Sequence, residues 1–127
     1  HILQVVGGFR APAYAAGAIS SKVSEALQRP FEKRNASEEE KDAAAAMADL
    51  EVNQAVRVVT DLVLQAATTL FDALGASAAK REHGLDRHWR NARTPASHNP
   101  RIYRQRIVGD YAVNGTRPTN FYRVGKV

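Results

Sequence analysis

The chain has 127 residues, no cysteine and a net charge of +5. That length suits one domain of ordinary size. The missing cysteines exclude disulfide staples and thiolate metal sites and point to an intracellular, cytoplasmic protein, and no apolar run approaches the roughly 20 residues that a membrane span needs.

The opening His1-Ile2-Leu3-Gln4 lacks the basic-then-apolar pattern of a signal peptide. The only methionine is Met47, so the chain is expected to be a piece of a longer protein. Residues 2–34 are rich in Ala, Ser and Val and read as helix. Gly7-Gly8 and Pro12 weaken its start. Beyond Pro12, the residues Tyr14, Ala18, Val23, Ala26 and Leu27 supply an apolar face. Arg29-Pro30 is expected to end or kink the helix, because a residue before proline avoids helical geometry. The strongest element follows. Ser37-Glu38-Glu39-Glu40 is a capping box, its glutamates suit the positive end of a helix dipole, and no Gly or Pro interrupts until Gly75, expected as a left-handed C-cap. Gln54, Arg57, Asp61, Gln65, Thr68 and Asp72 form one polar stripe on this helix. Most of the remaining circumference is apolar, which predicts a central helix packed by more than one neighbour.

Behind Gly75 the composition changes. Seven basic residues stand against ten acidic ones before it, and eleven against three from it onward. Such a basic half points to nucleic acid, a phosphate-bearing cofactor or an acidic protein surface. Residues 76–84 read as a connection. Residues 85–93 read as a short helix stopped by Pro95, with Trp89 as an anchor. Asn99-Pro100 reads as the start of a last helix, with Asn as N-cap. Its apolar positions are Ile102, Tyr103, Ile107, Val108 and Tyr111, and Asn114-Gly115 ends it. The tail 116–127 shows no clear period. Every element is helical, so the class is all-α.

The densest chemistry lies in Gly84-Leu85-Asp86-Arg87-His88-Trp89-Arg90-Asn91-Ala92-Arg93-Thr94-Pro95-Ala96-Ser97-His98-Asn99-Pro100. Arg87, Arg90 and Arg93 or Thr94 lie three or four apart, on one side of a short helix, and arginine forks match phosphate or carboxylate geometry. A solvated basic face explains the same spacing equally well. His98 sits between two prolines, in an expected loop before a helix N-terminus, where a neutral imidazole suits hydrogen bonding or proton transfer. A structural loop histidine is the blander alternative. The histidines at 1, 83, 88 and 98 match no metal spacing.

This stretch, with Gly109-Asp110-Tyr111 and Asn114-Gly115 behind it and Leu70-Phe71-Asp72-Ala73-Leu74-Gly75-Ala76-Ser77 before it, resembles the C-terminal end of flavin-dependent monooxygenases with the acyl-CoA dehydrogenase fold. The dibenzothiophene and sulfone monooxygenases, which use reduced FMN and oxygen, are the nearest subgroup. The resemblance covers about residues 36–127 and is specific over 70–115. It implies an antiparallel helical bundle over 1–127, a C-terminal domain that starts after the family's first helix, and a parent that is a homotetramer with flavin between domains and subunits. A flavin reductase would supply reduced FMN, with FAD as the alternative. By the same resemblance Ala76 and Ser77 lie in a flavin-contacting turn, and Arg87 and Arg90 match family arginines that bind flavin phosphate or pack between subunits. His98 matches a histidine near the flavin ring and substrate that helps oxygen transfer by a hydrogen bond or a proton. The family often has a second histidine after the threonine, where this chain has Pro95.

Three rivals remain. An acyl-CoA dehydrogenase needs a carboxylate base, yet no glutamate follows Glu82, and the loop that carries it in familiar dehydrogenases holds His98. A nucleic-acid-binding helical module would use the basic half. A bare assembly domain would self-associate through exposed apolar faces.

Overall fold

The computed structural model describes residues 1–119. Four α-helices account for most of it: α1 (Ile2–Glu32), α2 (Glu38–Leu74), α3 (Arg87–His98) and α4 (Arg101–Asn114). Two short 3-10 turns, Ala76–Ala79 and Arg81–His83, join α2 to α3, and no strand occurs among the described residues. The architecture is the expected all-α bundle. The tail beyond residue 119 lies outside the described residues.

Helix α2 is the hub. It packs against α1, α3, α4 and the first 3-10 turn. Its capping box forms as read. The Glu40 N–H donates to Ser37 Oγ at 3.3 Å, and the Ser37 N–H donates back to Glu40 Oε2 at 3.3 Å. Contacts between Lys33 and Glu40, and between Arg29 and Glu51, tie α1 to α2 in antiparallel sense. On the other flank Tyr111 meets Met47, Arg104 meets Asn53 and Arg101 meets Asp61, so α4 also runs antiparallel to α2.

The inner face of α1 is Val5, Phe9, Pro12, Ala16, Ile19, Val23, Ala26 and Pro30. The steps alternate between four and three, a period of 3.5 that keeps one seam facing an antiparallel partner. With Ala15, these are all the α1 residues that are not exposed. The face expected from sequence is therefore wrong at three places. Tyr14 is 83% exposed, and Leu27 and Ala18 also face out. Nor does either proline stop the helix, since both lie inside α1. A proline's own φ is helical. Its costs are one lost hydrogen bond and a clash with the carbonyl four residues back, and both prolines sit on the seam where packing against α2 compensates.

Further along, the structure again departs from expectation. Gly75 has φ 73° but ψ 175°, so it turns the chain out of α2 in an extended conformation open almost only to glycine instead of closing a left-handed cap. Pro95 lies within α3, which starts at Arg87 and runs on to His98. Asn99 is extended, as a residue before proline prefers, and Pro100 takes the N-cap position of α4 with no side-chain cap. Gly115, at φ 70° and ψ 14°, is the true left-handed cap.

The core is narrow. Its buried apolar residues are Ala26, Ala46, Ala48, Leu50, Ala78 and Ala96, so helices approach closely over alanines. Val58 and Val63 on α2 stay exposed, as do Trp89, expected as an anchor, and Ile102, expected as an apolar position of the last helix. The chain exposes 9244 Å², against about 6,700 Å² for a compact monomer of its mass.

Candidate functional site

The candidate site is built on α3, whose Ala96 is buried and whose Ala92 and Arg93 are half-buried. On the opposite side Arg87, Asn91, Thr94 and His98 are exposed and fall on one stripe, spaced four, three and four residues apart. Arg87 and His98 stand at the two ends, about 16 Å apart along the axis. His98 is the last residue of α3 and not a loop residue, a correction that follows from Pro95 being accommodated within the helix. Thr94, Pro95, Ser97 and His98 line an open hollow of about 630 Å³.

The predicted site residues differ in what they are free to do. Arg90 is engaged: its Nη2 lies 2.8 Å from Asp86 Oδ2 one turn back. The Arg87 backbone N–H donates to the Gly84 carbonyl at 3.2 Å, but its guanidinium makes no hydrogen bond or ion pair among the described residues and is exposed, so it can meet an anion. Ala76 and Ser77 lie, exposed, in the 3-10 turn after α2, and the Ser77 carbonyl accepts from the Lys80 N–H at 3.2 Å. This turn and α3 both pack on α2.

The basic half is partly consumed by the fold. Arg101 pairs with Asp61, and Arg104 Nη1 donates to Asn53 Oδ1 at 2.8 Å. Asn53 is buried and also donates to the Asp49 carbonyl at 2.9 Å. Burial pushes the Asp49 carboxyl up, opposed by the nearby Arg104 guanidinium and the Asn53 amide. Arg104 Nε is buried without a partner. These residues hold α4 on α2.

Behind Glu82 only two carboxylates occur. Asp86 pairs with Arg90, and Asp110 accepts from Asn114 Nδ2 at 2.7 Å and Thr116 Oγ1 at 3.2 Å. What the exposed face of α3 offers is thus one unpaired guanidinium, neutral hydrogen-bonding groups and an imidazole. Such a set fits an elongated ligand with an anionic end. The reading from sequence placed Thr94 on one side of this helix with Arg87 and missed Asn91. The spacing from Arg87 to His98 reveals it once the helix is carried through Pro95.

The site thus stands on an all-α bundle in which a basic, histidine-bearing short helix packs on a long central one. The family model described as "Acyl-CoA dehydrogenase, C-terminal domain" matches residues 9–100, and the chain belongs to that family. The match reaches back into α1, well before the residue 36 at which the resemblance read from sequence begins. Among relatives, a dibenzothiophene monooxygenase of Mycolicibacterium goodii is 25% identical over 93% of this chain and 28% of its own length. A probable FMNH2-dependent monooxygenase, SfnC of Pseudomonas putida, is 44% identical over 42% of the chain and 14% of its own length. Among solved structures, FMN-bound TdsC from Paenibacillus sp. A11-2 superposes with a TM-score of 0.75 at 34% identity, over 93% of this chain and 29% of that one. The chain thus spans under a third of the relatives it matches.

Proposed function

We propose that this chain is the C-terminal part of a reduced-flavin-dependent monooxygenase that inserts oxygen into a small organic substrate, sulfur-containing or aromatic. The observation that carries it is the exposed face of α3. Arg87 has an unpaired guanidinium at one end and His98 stands at the other, and the three carboxylates of the basic half are engaged elsewhere, Glu82 with Lys80, Asp86 with Arg90 and Asp110 with Asn114. A dehydrogenase would need a free carboxylate base there. Relatives support the reading: they include FMNH2-dependent, dibenzothiophene and methanesulfinate monooxygenases, and a TdsC structure holds FMN and indole.

Arg87 binds the flavin phosphate, Ala76 and Ser77 border the flavin, and Arg90 shapes the start of α3 through Asp86 instead of meeting the phosphate directly. Reduced FMN, when bound, supplies the electrons that activate oxygen. His98 holds a proton or hydrogen bond at its imidazole where oxygen transfer occurs, and so favours insertion over wasteful release. A flavin reductase supplies the reduced cofactor. The parent works in the cytoplasm as a homotetramer, consistent with the large exposed apolar area of α1. In the full-length gene product, His98→Ala abolishes or uncouples oxygenation, so that oxygen is consumed without product, while flavin binding survives. Product formed at the wild-type rate would overturn the role of His98.

A further inference from the structure

We propose that Asn91 is a further flavin-binding residue, holding the polyhydroxyl chain of the cofactor between a phosphate end at Arg87 and a ring end at His98. The inference rests on the flavin reading above and adds an orientation and a residue to it.

Geometry makes the case. Arg87, Asn91, Thr94 and His98 lie within an arc of about 60° on α3, and all four are exposed. The order of their chemistries along the axis is cation, amide, hydroxyl, imidazole. Flavin mononucleotide has the matching order: a phosphate, a chain of hydroxyls, and a ring that both donates and accepts. The groups also differ in availability. Thr94 Oγ1 spends its proton on the Arg90 carbonyl at 3.0 Å, and Ser97 Oγ donates to the Arg93 carbonyl at 3.0 Å. Arg90 is tied to Asp86. The Asn91 amide has no partner among the described residues, so it keeps both its donors and its acceptor for a ligand. Its backbone carbonyl is short of a donor as well. Residue 95 would supply the helical N–H, and residue 95 is proline. Position 91 therefore concentrates unspent hydrogen-bonding capacity midway along the stripe, where a polyol needs it.

Three probes separate the parts of the ligand. Lumiflavin carries the ring alone, riboflavin adds the hydroxyl chain, and FMN adds the phosphate. Their dissociation constants are measured by flavin fluorescence on the full-length gene product and its variants, with circular dichroism as a check of folding. Asn91→Ala weakens riboflavin and FMN alike, by about five- to tenfold, and leaves lumiflavin unchanged. Arg87→Ala weakens FMN by about ten- to a hundredfold and leaves riboflavin unchanged. Asn91→Asp keeps the side-chain shape, loses the donors and adds a negative charge, and so weakens FMN more than riboflavin. The exposed Gln105→Ala on α4 changes none of the three. If Asn91→Ala binds all three probes like wild type, weakens lumiflavin equally, or affects FMN alone, the assignment of Asn91 is wrong while the flavin reading stands. If the wild-type protein binds no flavin, both fall.

Discussion

Asn53 is the one polar residue among the buried positions of α2, at 3% exposure, and removing its side chain should loosen α4 from α2. Asn53→Ala deletes the 2.8 Å bond from Arg104 Nη1 and the 2.9 Å bond to the Asp49 carbonyl. A hydrogen bond to a charged group contributes about 1.5–3 kcal/mol, and the loss of a buried partner adds a desolvation penalty. Arg104 already carries one buried unpaired nitrogen, Nε, so the variant leaves that guanidinium with less compensation still. The expected loss is about 2–3 kcal/mol, a large part of the 5–15 kcal/mol typical of a domain. Urea unfolding followed by far-ultraviolet circular dichroism reads it. With a slope of about 1.5 kcal/mol per molar, the midpoint falls by about 1.5 M. The double variant Asn53→Leu with Arg104→Met removes both partners together and should recover most of the loss, since matched apolar groups leave nothing unpaired. A loss below about 0.5 kcal/mol in Asn53→Ala, or a double variant no better than the single one, would refute the claim that this pair clamps α4.

Four further outcomes follow from the same structure. Burial raises the Asp49 carboxyl, so the folded state holds that proton more tightly than the unfolded one, and stability from this group falls as pH rises from the unfolded value through the folded one. Asp49→Asn should therefore raise the urea midpoint at neutral pH, with the gain vanishing below about pH 4. Glu40 behaves oppositely. The Ser37 backbone, then the Ser37 hydroxyl and the Lys33 charge, lower its carboxyl, so its contribution is present above the unfolded value and lost as pH falls through the folded one. Ser37→Ala removes the hydroxyl cap at a cost of about 1 kcal/mol and should flatten the acid limb of a stability–pH curve only in part, because the backbone N–H at position 37 still donates to Glu40. Gly75→Ala meets no atom within 4 Å but is strained at φ 73°, so calorimetry should show a loss of about 1–3 kcal/mol without a packing defect. Finally, Leu3 and Tyr14, 87% and 83% exposed, lie on one outer face of α1. The chain alone should self-associate by light scattering, and Tyr14→Glu should reduce it. A monodisperse wild-type monomer would count against this.

Some of this was legible from residues alone and some was not, for physical reasons. The capping box at Ser37 and the uninterrupted run to Gly75 specify α2 locally, through caps and dipole, so no tertiary knowledge was needed. Pro12 and Pro30 misled because local rules weigh the missing hydrogen bond and not the packing against α2 that offsets it, while Pro95 is carried within α3 although it is exposed. Tyr14 and Leu27 misled for another reason. An apolar residue on a lone helix signals burial only when a partner covers that face, and here α2 takes the adjoining seam instead. The site suffered from the proline error most directly. Ending the helix before Pro95 turned His98 into a loop residue and hid its alignment with Arg87. The family resemblance was carried by the run Gly84–Thr94 and the His98-Asn99-Pro100 cluster, most of whose side chains stay exposed. Residues before 36 were harder to place, because small apolar seam positions such as Ala16 and Ala26 are shared by many helices.

The 3.5-residue seam of α1 makes helix length a separable property. Removing one residue would rotate everything beyond it by about 100° and turn the seam to solvent. Adding seven would restore register after about 10 Å. A heptad inserted in α1, with its counterpart in the antiparallel stretch of α2, should extend the pair like a telescoping strut while α3 keeps its seat. The spacing between this domain and whatever rests on the far end of the strut is therefore open to adjustment, by selection or by design, in increments of one heptad.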